Sequence, residues 1–189
     1  AEIGFEGIEL GEQGVGLAFK RFQNYILQLK NRGMILAICS KNQMSMVLNV
    51  LDNHPDMLLK KDDFACIYAN YDDKVSNIQN IRDELNISFE SIVFFDDNNF
   101  ERDNVKSRLP SVLVPDLPED PSNFLKFISS LNLFEAITLT EDDKKRTENY
   151  LVNKKRNEIK SKYKNLDDYL NNLKMEAIVD EINDFTLPR

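Results

Sequence analysis

Residues 34–40 read MILAICS, six apolar side chains in a row closed by a serine. No polar residue alternates through the run, which suits a strand buried on both faces of a parallel sheet. Just upstream, residues 15–32 place Val15, Phe19, Phe22, Ile26 and Leu29 at helical spacing, and Gly33 supplies a stop. Downstream, a helix is expected over residues 42–53, with Met44, Val47, Leu48 and Leu51 on one face. The alternation then continues with a strand at 64–70 (FACIYAN), a helix at 74–85, a strand at 91–97 (SIVFFDD) and a helix at 99–108 before Pro110. A last strand at 111–117 and a helix at 121–131 complete it. Strand and helix in turn, with short connections, predict an α/β domain with a mostly parallel sheet flanked by helices.

Beyond residue 139 the pattern changes. Residues 140–165 are long, charged and poor in apolar groups, and Thr140 with Glu141, Asp142 and Asp143 suits a helix start. A second short helix is expected at 166–175. The expected division is therefore a core over 1–139 and a helical extension over 140–189.

The 189 residues are 42% hydrophobic and 30% charged, a globular composition. The formal charge of −8 argues against nucleic acid and anionic membrane as partners. No apolar run is long enough for a membrane span, and the acidic start lacks a secretory leader. Cys39 and Cys66 both lie in apolar runs, the usage of a reduced, cytoplasmic chain. His54 is the lone histidine, in a turn-type sequence, and a zinc site is not expected.

In open α/β sheets ligands bind at the carboxyl ends of the strands. There the chain places Ser40, then Lys74 at a helix start, then Asp96 and Asp97. A hydroxyl and an ammonium suit phosphate oxygens, and two adjacent carboxylates suit a hard cation such as Mg²⁺. Asn42 is a further phosphate-binding candidate. Each residue also has an ordinary reading: Ser40 as a helix cap, Lys74 as a surface lysine, the aspartates as turn residues. Glu101 and Arg102 read as a surface pair, with a supporting role behind the acidic pair as the alternative, and Cys66 as core. A receiver-type phosphoacceptor domain uses similar groups, but with the acidic pair first; here the order is serine, lysine, acidic pair.

That order resembles the haloacid dehalogenase (HAD) superfamily, with Ser40, Lys74 and Asp96–Asp97 at its second, third and fourth motifs. The wording EGIELG (6–11), AICSKN (37–42), HPDM (54–57), KVSNIQNI (74–81), FFDDNNFER (94–102), LPEDP (117–121) and LFEAITLTEDD (133–143) resembles the FkbH-like group, subfamily IIIC. The resemblance implies a Rossmann-like HAD fold and a Mg²⁺-dependent phosphatase or phosphotransferase with a small phosphorylated substrate. Its finer implication is loading of a glyceryl unit from 1,3-bisphosphoglycerate onto an acyl carrier protein. Cys39, otherwise a small buried residue at a strand end, would then be a candidate acyl acceptor, its pKa lowered by Lys41 and Lys74. The family's nucleophile lies in an Asp-x-Asp-x-Thr signature on the first, central strand, which these residues do not contain. The resemblance thus implies a catalytic domain trimmed at both ends, without nucleophile or central strand, and inactive alone. The other readings are a plain small-molecule phosphatase and a non-catalytic carrier-docking or scaffold domain.

Overall fold

The computed structural model describes residues 8–135 and 145–161. The chain divides into two compact units, residues 1–151 and 152–189, and the sheet belongs to the first. Helix α1 (Gly14–Asn31) is ended by Gly33 at φ +88°. Gly33 N–H reaches the Lys30 carbonyl at 2.8 Å and Met34 N–H the Leu29 carbonyl at 3.0 Å. That pair of bonds is a Schellman stop, and it needs a residue at ease with positive φ.

The chain then turns into β1 (Leu36–Ser40), which pairs in parallel with β2 (Phe64–Ala69). Their register runs from Leu36 opposite Phe64 to Ser40 opposite Ala69, with one irregularity between Leu36 and Ala37. Between them lies α2 (Met44–Asn53). After β2 come α3 (Lys74–Leu85) and α4 (Asn99–Arg108), then α5 (Phe124–Ser130) and α6 (Arg146–Ser161).

Helices cover both faces. Leu36 and Ile38 of β1 pack with Leu51, Leu59 and Phe64, against Ile26 and Leu27 of α1. On the other face Ala65 and Cys66 pack with Ile81 and Leu85 of α3. Val75 and Ile78 of α3 also join Phe94, Val105, Leu109, Val112 and Val114. Phe124 meets Phe19 and Phe22 of α1 edge-on, each pair of ring centroids 6.2 Å apart. Helix α3 thus lies under both the β1–β2 pair and the 92–96 segment.

Three expectations change. The strands expected at 91–97 and 111–117 reduce to one parallel bridge, Val93 with Leu113. Phe94 N–H donates to the Leu113 carbonyl at 2.9 Å and Leu113 N–H to the Ile92 carbonyl at 3.0 Å. Apolar burial keeps both segments in place, but a ladder needs repeated partners, and among the described residues 92–96 pairs on one side only. Likewise β1 is less buried than a strand fully covered on both faces: Ala37 is exposed and the other strand residues are half-buried. Among the described residues β1 pairs with β2 alone. Finally, residues 121–131 start as a 3₁₀ turn, Pro121–Asn123, before α5. The expected helix at 166–175 and the start at Thr140 lie outside the described residues. Among those described, no helix is long and apolar enough to cross a membrane.

Candidate functional site at the strand ends

Parallel pairing brings the ends of β1 and β2 level, and Asn70 N–H extends the ladder to the Ser40 carbonyl at 3.1 Å. Asn70 and Asn77 then bond each other's side-chain amides at 2.8 and 3.2 Å, tying the end of β2 to α3. Helix α3 opens with Asp73 as its cap, accepting from Val75 N–H at 3.3 Å. Burial works against ionising Asp73, but that backbone bond, Arg108 and Asn104 outweigh it and hold the carboxyl below its usual range.

Lys74 follows directly and is not a surface lysine. It is buried, its Nζ donates to Oδ2 of Asp96, and it lies 6.0 Å from the Phe94 ring centroid. A cation in the first turn is badly placed for the helix dipole, and the Asp96 carboxylate offsets that. Asp96 is itself buried, and its Oδ1 accepts from Asn98 N–H at 2.9 Å. Asp97 beside it is exposed.

Ser40 does not cap α2. That helix starts at Met44 after Gln43, with no side-chain cap. The Ser40 hydroxyl instead accepts from the Asn42 amide at 3.0 Å. Cys39 stands one residue back, its Sγ 3.8 Å from the Lys74 carbonyl. Burial pushes this thiol up to about 11, with Asp96, Glu101 and Asp73 adding to the effect and Lys74 opposing it. That is the reverse of the expected lowering: desolvation outweighs the one cation that reaches it. Neither cysteine is disulfide-bonded.

The structure therefore joins Lys74 to Asp96 and Asn42 to Ser40, and Cys39, beside Ser40, reaches the Lys74 carbonyl. It also brings in two residues read from sequence as a surface pair. Glu101 is 5% exposed and Arg102 6%. Arg102 donates to the carbonyls of Asp96 and Asp97 at 2.7 and 3.1 Å, which fixes the turn between them. Glu101 holds Lys41 at 2.5 Å. The missed signal was helical spacing: Glu101, Val105 and Leu109 form one inward stripe with Arg102 beside it, while Phe100 points out. His54 is structural, buried and accepting from Asp56 N–H at 3.2 Å through Nδ1. Among the described residues no group of three His, Cys, Asp or Glu side chains gathers as a metal cage.

No family model and no curated protein matches the chain. A solved structure does. It is the N-terminal part of the protein BF1531 from Bacteroides fragilis, containing a phosphatase domain complexed with Mg. Identity is 46%, the TM-score is 0.69, and the match covers 71% of this chain. The two share a fold. It is a Rossmann-like α/β fold, present in that structure as a phosphatase domain. The chain spans 36% of the length of that relative.

Proposed function

We propose that this chain belongs to a Mg²⁺-dependent phosphatase or phosphotransferase of HAD type, acting on a small phosphorylated substrate. The observation that carries the reading is the buried Lys74–Asp96 pair at the strand ends. Burying an ion pair rarely adds net stability, so a pair kept at a ligand-binding rim calls for another reason. Phosphate accompanied by a divalent cation offers each member a partner: an anion for the ammonium, a cation for the carboxylate. The Mg-bound relative at 46% identity supports the same chemistry.

The donors fit the ion. Asp96 and Asp97 are hard oxygen ligands, the kind Mg²⁺ takes one or two of while keeping water and phosphate for the rest. When bound, the ion supplies positive charge to a phosphoryl oxygen. The Ser40 hydroxyl and Asn42 amide hold phosphoryl oxygens, and Lys74 balances their charge. Ser40, Lys74, Asp96 and Asp97 standing together in one chain favour this over a purely scaffolding role.

The finer FkbH-like resemblance extends the proposal to glyceryl loading from 1,3-bisphosphoglycerate onto an acyl carrier protein in the cytoplasm. The raised Cys39 pKa speaks against its thiol as the acyl acceptor, so Cys39→Ala is expected to leave loading intact. The central test uses residues 1–189 and calorimetry. They are expected to bind orthophosphate only with Mg²⁺ present, and not to hydrolyse acetyl phosphate. Mg²⁺-dependent hydrolysis by this chain would overturn the nucleophile assignment, and an absence of phosphate binding would overturn the reading itself.

A further inference from the structure

Lys41 sits one residue past β1, and its ammonium meets Glu101 Oε1 on α4 at 2.5 Å. Three features separate this pair from ordinary surface pairs. Its carboxylate side chain is only 7% exposed, while the lysine is 39% exposed. The second carboxylate oxygen, Oε2, is buried with no hydrogen-bond partner. Buried acceptors normally find a donor, so a spare one at a ligand-binding rim is an acceptor held for something that arrives. Third, the pair crosses from the end of β1 to α4, as Lys74–Asp96 crosses from α3 to the end of the 92–96 segment. Asp96 and Asp73 lie within electrostatic reach of Lys41. Lys74, Asp96 and Glu101 all lie within electrostatic reach of Cys39. The Lys41–Glu101 and Lys74–Asp96 pairs thus lie within electrostatic reach of each other.

We propose that Lys41 is a second phosphate-binding cation of this site, and that Glu101 is the positioning residue that holds it there. The inference rests on the phosphate reading above and narrows it. Two ammonium groups suit a dianionic head, a phosphomonoester or acyl phosphate, and disfavour a monoanionic diester. Glu101 needs one oxygen for Lys41; Oε2 accepts from a donor carried by the ligand.

Calorimetric titration with orthophosphate and with dimethyl phosphate, at fixed Mg²⁺, tests this. The unaltered protein is expected to favour orthophosphate. Lys41→Met is expected to weaken orthophosphate binding about tenfold and to erase most of the preference, with Lys41→Arg recovering much of it. Glu101→Gln is expected to weaken orthophosphate in the same direction while Mg²⁺ binding alone is unchanged, which a merely structural carboxylate would not do. Thermal unfolding checks each variant. If Glu101→Gln does not fold, Lys41→Met decides, because Lys41 lies at the surface. Orthophosphate binding by Lys41→Met within about twofold of the unaltered protein overturns the inference. If Asp96→Asn loses phosphate while Lys41→Met keeps it, only this inference falls. If the unaltered protein binds none, the phosphate reading falls first.

Discussion

Lys74–Asp96 and Lys106–Asp116 are the same chemical pair in two surroundings. Side-chain exposures are 11% and 4% in the first, 36% and 74% in the second. In the outer pair water screens both charges, and the Lys106 contact lowers the Asp116 pKa without burying it. In the inner pair each charge has given up water and depends on the other. The difference teaches where chemistry resides in this fold. An outer pair can be lost at little cost, whereas an inner pair at the strand ends is a constraint the fold keeps.

If burial separates the two pairs, Asp96→Ala has the largest effect. It strands the Lys74 ammonium and is expected to cost about 3–5 kcal/mol in urea unfolding. It should also abolish Mg²⁺-dependent phosphate binding. Asp116→Ala should leave the midpoint unchanged, and equal losses from both would erase the distinction. Next is Ile78→Ala, one turn along α3 from Lys74, fully buried beside Phe94. A cavity there is expected to cost about 3 kcal/mol and to loosen α3 beneath the site. Asn98→Ala removes the cap that accepts Phe100 N–H at 2.9 Å. It should cost about 1 kcal/mol and weaken Mg²⁺ binding through the Asp96–Asp97 turn.

The smallest effect shows in the pH dependence of stability. Asp73 titrates below its usual 3.8, so its contribution is complete above that value and is lost as pH falls through its folded pKa. Asp73→Asn keeps a capping oxygen but loses the ionised form's contacts, so it should be slightly less stable at neutral pH, converge with the unaltered protein in strong acid and thereby flatten the acid limb of a stability–pH curve. An unchanged acid limb would show that the Arg108 and Asn104 contacts carry no linkage.

Periodicity placed α3 at its observed bounds, because Val75, Ile78, Ile81 and Leu85 are spaced for one face, while α4 was bounded by Pro110 beyond its end. It also placed Ser40, Lys74 and Asp96 at strand ends, because in alternating α/β chains the chemistry follows each strand. It misjudged Glu101 and Arg102, since charge alone suggests solvent and only the packed helix shows which way they face. For Cys39 the resemblance set an activated thiol beside the ordinary reading of a small buried residue, and burial favours the latter, because a sequence displays charges but not the desolvation that outweighs them.

Residue order alone specified the α/β alternation and which side chains stand where each strand stops, since those depend on local spacing and turn chemistry. Three-dimensional packing set everything that depends on surroundings: which lysine is buried, which carboxylate keeps a spare oxygen, and which strands pair among the described residues. Burial and pairing arise between segments distant along the chain, and desolvation, which governs the charges here, has no value until those segments meet.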